Sequence, residues 1–221
     1  MKRDGGSRHA PCDAISEEGR GHRDQREGEL NSGVGTLAEH QDEISAALGG
    51  ETDEEVRQMH IQTMARYNRW MNQKIYECCS GLSDEKRKRD MDAFFKSIHG
   101  TLNHLLLTDR VWMGRFTGKP FHITSLDHEL YSDFDVLRSE REAEDSRIIE
   151  WVASLSPHDM DEDLIYTSIV NPEPRRYPLW FALSHFFNHQ THHRGQATTL
   201  LTQLGIDVGV TDLIGLPGDE T

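Results

Sequence analysis

Apolar residues recur along this chain at spacings of three to five in four long runs, the period of helices buried on one side. The first run opens at Thr52, with Val56, Met59, Met64, Tyr67, Met71, Ile75 and Cys78 as its stripe. Thr52 and Glu55 have the spacing of a capping box, and Gly81 suits a stop. Ser83 starts a short polar helical turn. A second helix is predicted over residues 92–116, DAFFKSIHGTLNHLLLTDRVWMGRF, ended by Gly118 and Pro120. A third is predicted over 129–155, with Leu130, Phe134, Leu137, Ile148, Trp151 and Leu155 turned inward. Its middle, RSEREAEDSR, reads as a solvated face with i,i+4 pairs. Residues 156–178 hold a turn, a β-like run (LIYTSIV) and a proline-rich connector (NPEPRRYP). The fourth helix is predicted from Pro178, a favourable first-turn proline, to Gly205. Four long helices with little strand predict an all-α fold, a helix bundle whose long connections allow crossovers.

Residues 1–51 break the pattern. They are rich in glycine and charge, and no aromatic residue occurs in their first 35 positions. Such a segment cannot bury enough apolar surface to offset its ordering entropy. A disordered extension with helical turns in TLAEHQDEISAAL is therefore expected, ahead of a folded domain at 52–221. Met59 and Met64, close to the first patterned segment, offer internal starts for translation.

The net charge of −14 disfavours nucleic acid and anionic membranes as partners. No apolar run approaches the roughly 18–20 residues of a membrane span. The N-terminus lacks the basic-then-apolar pattern of a secretion signal. Cys12, Cys78 and Cys79 form neither a disulfide framework nor a CxxC metal clip. A reduced, cytoplasmic protein is expected.

Histidine distribution changes this picture. The stretch SHFFNHQTHHRGQ, residues 184–196, holds His185, His189, His192 and His193, out of 13 histidines in the chain. At about 100° per residue, His189 and His193 project from one helical face, one turn apart. That i,i+4 spacing is how a helix presents two imidazoles to a metal. The motif is not HExxH, because Gln190 stands at the glutamate position. His185 extends the row, and His192 falls about 60° to the side of His189. The second helix offers His104 among Leu102, Leu105 and Leu106, with His99 earlier and Asp109 placed to support a ligand ring or a water. His104, His189 and His193 would form a three-histidine site with positions open for water, a catalytic rather than a structural coordination. Spacing alone leaves that reading level with simple core packing.

The segment HFFNHQTHHRGQATTLLTQLG resembles the last helix of the DinB/YfiT-like damage-inducible family. MARYNRWMNQKIYE, FFKSIHGTLNHLLLTDRVWMGRFTG and LDHELYSDFDVLR extend the resemblance across roughly residues 58–214. It implies a four-helix bundle of up-down-down-up topology. It also implies a divalent ion held by His104, His189 and His193, and pairing as a homodimer. Enzymes of the wider superfamily use low-molecular-weight thiols, and others look hydrolase-like.

The expected function is thus a metal-dependent enzyme that activates water or a low-molecular-weight thiol for a small-molecule substrate. The ion would be Zn, Ni, Cu or Fe, which nitrogen ligands suit about equally. Asn68, Asn72, Asp109, His185 and Arg194 are the candidate supporting or pocket residues, and Gln196 and Trp112 read as structural. The competing expectation is a stress-response protein that binds metal without turnover. It is favoured by the missing HExxH glutamate and by the lack of a base beside Cys78 and Cys79.

Overall fold

The computed structural model of the chain describes residues 52–123, 125–168 and 173–218. The extension expected at residues 1–51 lies outside them. The described chain is mostly helical, with one two-stranded sheet.

Helix α1 (Asp53–Ser80) starts on the expected capping box. The Thr52 hydroxyl accepts from the Glu55 amide (3.2 Å), and Glu55 accepts from the Thr52 amide (2.8 Å). Its buried face runs through Ile61, Ala65, Met71, Ile75 and Cys79, and includes Asn68 and Asn72. Val56 and Met59, expected in the stripe, are exposed. Gln58 already donates to the carbonyl of Leu155 (2.5 Å), just past the end of the helix that α1 packs on. Little is left to cover the first turns.

A short helix α2 (Asp84–Lys88) precedes α3 (Ile98–Phe116). Here the expected helix start at 92 is corrected. Residues 91–97 form a strap closed by Met91 N–H to Lys96 O (2.7 Å) and Lys96 N–H to Ala93 O (2.8 Å). Asp92 and Lys96 have φ of 55° and 65°, a left-handed backbone that no α-helix passes through. Ser97 then caps α3 by accepting from the Gly100 amide (3.0 Å).

Helix α4 (Phe134–Ser154) begins later than expected, at the Asp133 cap, whose carboxylate accepts from Val136 N–H (2.9 Å). Its charged middle is a solvated face only in part: Ser139, Glu142 and Ser146 are exposed, and the expected i,i+4 pairs form at Arg138–Glu142 (3.1 Å) and Arg141–Asp145 (2.9 Å). Arg141, Glu144 and Asp145 are buried. They meet partners supplied by other helices, which no local pattern displays: Arg141 reaches Asp109 of α3 (2.5 Å), and Asp145 accepts from Asn72 of α1 (2.9 Å).

A 3-10 turn (Pro157–Asp161) leads into strand β1 (Asp163–Thr167), which pairs antiparallel with β2 (Pro174–Pro178). Residues 174–178 of the segment read as a connector thus form a strand. Its two prolines sit at the strand ends, where a missing amide is tolerated. Helix α5 (Leu179–Gln203) follows and stops before Gly205 (φ 76°), close to the expected bounds.

Two apolar clusters make the core. One gathers Met71, Ile75, Leu102, Leu106, Leu137 and Leu201. The other gathers Ile61, Met113, Ile148, Leu183, Phe186 and Phe187. Between these sets, along each long helix, lie the buried polar residues Asn68, Asp109, Arg141, Asp145 and Arg194. Among the described residues no helix is long and apolar enough to cross a membrane.

Candidate metal centre

Helix α5 brings His189 and His193 one turn apart, and α3 brings His104 against them. Their ligand nitrogens all lie within 4.8 Å of one another, so the cluster could hold a metal ion. Ring centroids are separated by 4.4 Å for His189–His193, 4.5 Å for His104–His193 and 5.5 Å for His104–His189.

Hydrogen bonds decide which nitrogen His104 and His193 present. His104 Nδ1 lies 2.9 Å from the carbonyl oxygen of Leu126. A carbonyl only accepts, so Nδ1 carries the proton and Nε2 keeps its lone pair. That Nε2 is buried without a hydrogen-bond partner. His193 Nδ1 lies 2.8 Å from Gln196 Oε1, while the Gln196 amide nitrogen lies 3.2 Å from His192 Nε2. The consistent assignment has Gln196 donating to His192 and accepting from His193, which again leaves Nε2 as the free lone pair. This Nε2 faces His189 Nε2 at 3.1 Å. His189 Nε2 either donates a proton to His193 Nε2 at that distance or turns a second lone pair toward a cation between them. The donor set and the unpartnered nitrogen therefore fit a divalent transition ion.

The protonation states agree. Burial lowers the pKa of His104 to about 4, despite the opposing Leu126 hydrogen bond. Burial, reinforced by the neighbouring imidazoles, lowers His189 to about 3. His193 is lowered by the same burial. All three rings are neutral near pH 7, the form that ligates.

The cluster opens into a cavity of about 1000 Å³. Phe95, carried by the strap, stacks on the His104 ring (3.9 Å between centroids, 19° between planes) and meets His193 edge-on at 5.4 Å. Phe94 beside it is 82% exposed at the cavity wall. The sequence reading missed Phe95, Leu126 and the role of Gln196. Gln196 stands three residues after His193, on the same helical face, so its spacing was a usable signal. A backbone carbonyl twenty-two residues from His104, and an aromatic in an irregular strap, offered none.

Of the supporting candidates, His185 alone lies along the ligand row, 6.1 Å from His189 and against Trp112 (5.1 Å). Asp109 is bonded to Arg141 rather than to a histidine ring, and it acts on His193 through its charge alone. Asn68 and Asn72 both donate to Asp145 Oδ1 (3.2 and 2.9 Å), and Arg194 donates to Asn68 and Thr191. These four residues belong to the buried polar layer and do not line the histidine cavity. His99 lines that cavity and donates through Nε2 to the Tyr131 carbonyl (2.9 Å). Burial raises the Cys79 thiol to about 12 and raises Cys78 as well, so neither is a ready thiolate.

Fold and cluster together define a class: a helical protein holding three imidazoles from two helices beside an open cavity. The chain belongs to the DinB family, whose model matches residues 52–218. It is 28% identical over 151 residues to Protein DinB of Bacillus subtilis (strain 168), covering 66% of this chain and 87% of that protein. A solved DinB-like protein from Bacillus cereus ATCC 10987 aligns with a TM-score of 0.49 at 20% identity, covering 63% of this chain and 89% of that one.

Proposed function

We propose that the chain is a metal-dependent enzyme in which His104, His189 and His193 hold a divalent transition ion, Zn, Ni or Fe. The observation that carries this reading is the buried, unpartnered Nε2 of His104 beside two Nε2 atoms 3.1 Å apart. When bound, such an ion acts as a Lewis acid that lowers the pKa of water or of a low-molecular-weight thiol. The Leu126 carbonyl and Gln196 fix the ring orientations. Phe95 covers one face of His104 and keeps water from it. Three neutral imidazoles contribute no charge, which leaves the site attractive to an anionic group. The cavity gives room for a small-molecule substrate, and the reaction class is hydrolysis or thiol S-transfer.

The same reading takes the long helices as a bundle running up-down-down-up. Contacts between Gln58 and Leu155, and between Glu77 and Arg138, support opposite directions for α1 and α4. Arg110–Glu140 and Phe116–Trp151 support the same direction for α3 and α4. Trp112–His185 and His104–His193 support opposite directions for α3 and α5. A cytoplasmic setting and pairing as a homodimer complete the proposal.

The test is a turnover screen of the ion-loaded protein: bacillithiol, mycothiol and glutathione against electrophiles, alongside ester and amide hydrolysis. Turnover that His189→Ala abolishes is expected. Ion binding with no turnover in any arm would instead make the chain a metal-binding stress-response protein.

A further inference from the structure

A second cavity, of about 380 Å³, lies against α5 and shares no lining residue with the histidine cavity. Arg194 lines it. This side chain follows His193 directly but points about 100° away around the helix. It is only 2% exposed. Its guanidinium donates to the Asn68 side-chain oxygen and to Thr191 Oγ1 (3.2 Å), while Nε has no partner. The Tyr67 ring lies 5.3 Å from it. Among the described residues no carboxylate stands within ion-pair distance. The neighbouring buried carboxylates, Asp109 and Asp145, lie against Arg141 at 2.5 and 2.9 Å and reach Arg194 only at longer range, Asp145 through Asn68. A buried guanidinium normally has its own anion.

Gly195 adds an independent observation. It sits in the interior of α5 and lines the same cavity. A Cβ built on it would meet nothing within 4 Å, and its φ is not in the left-handed region. Neither backbone conformation nor packing calls for glycine there, and alanine is the better helix former. Glycine leaves the exposed mouth of the cavity beside Arg194 unobstructed. The remaining walls combine an apolar side from Met64, Tyr67, Met71 and Leu213 with the threonines Thr191, Thr198 and Thr211. The one acidic lining residue, Asp212, is exposed and screened by water.

We propose that this cavity is a second binding site, for a small carboxylate with a short apolar body whose anionic end pairs with Arg194. The inference is independent of any metal at the histidines. The test is calorimetric titration of the full chain with butyrate and benzoate, and with inorganic phosphate for comparison. Saturable binding of a carboxylate is expected, weakened at least tenfold in Gly195→Leu and in Arg194→Met, and retained in His189→Ala. Gly195→Leu keeps the arginine and its buried partners, so it remains informative if Arg194→Met fails to fold. Absence of saturable binding in the wild type would overturn the proposal, as would wild-type affinity in Gly195→Leu. Loss of binding in His189→Ala would place the ligand at the histidine cavity instead, and tighter binding of phosphate than of either carboxylate would reject the ligand class.

Discussion

At the scale of single side chains, the centre depends on which nitrogen of each imidazole carries the proton. For His193 that choice is made by Gln196. Gln196→Leu removes the acceptor and frees the ring to change tautomer, so ion affinity should fall about 10–100-fold, the usual cost of losing such a partner. Equilibrium dialysis with Zn or Ni measures it, and unchanged affinity would remove Gln196 from the account. Burial has a second consequence at this scale. An ordinary imidazole titrates near 6.5, whereas His189 is held at about 3. Between those values the unfolded chain takes up a proton that the folded chain refuses, so acidification through that window favours unfolding. His189→Asn removes this linkage. In chelator-treated protein, the stability of the variant relative to wild type should rise by about 1–2 kcal/mol from pH 7.5 to 5. Urea unfolding at both pH values reads the difference, and a flat one would contradict the assigned burial.

Among the elements, the strap before α3 does most to shape the centre. Gly100 lies beneath it, and a Cβ there would run into the backbone oxygen of Phe95. Gly100→Ala should therefore cost about 1–3 kcal/mol, as overpacked sites do. It should also weaken ion binding, because Phe95 stacks on His104. Loss of stability with unchanged ion affinity would show that the strap does not hold the ligand. This element also marks a limit of sequence reading. Phe94 and Phe95 continue the apolar spacing of α3, so periodicity extended the helix through them, while the left-handed turns at Asp92 and Lys96 left no trace in residue type. The start of α1 was legible because Thr52 and Glu55 settle it locally. Strand β2 was not, since its prolines read as breakers unless the pairing with β1 is known.

For the molecule as a whole, the feature hidden from the sequence is the polar layer between the two apolar clusters. A charged run on one helix is indistinguishable from a solvated face until the other helices supply Asp109, Asn68 and Asn72. The three-histidine cluster was legible for the opposite reason: HxxxH is a local spacing, and the leucines around His104 mark that residue as turned inward. Arg141 ties the layer together, 2% exposed and against two carboxylates. Arg141→Met leaves Asp109 and Asp145 buried with no close cation, and should cost about 3–5 kcal/mol. Replacing all three with apolar residues of similar volume should cost far less, and equal losses in the two variants, by urea unfolding, would argue against an ionic origin. The central claim, that α3 and α5 together build one ion site, is tested most directly by metal content. Elemental analysis of purified wild type, His104→Ala, His189→Ala and His193→Ala should find one divalent transition ion per chain in the wild type and a loss in every variant. Full occupancy in any of the three would contradict the account.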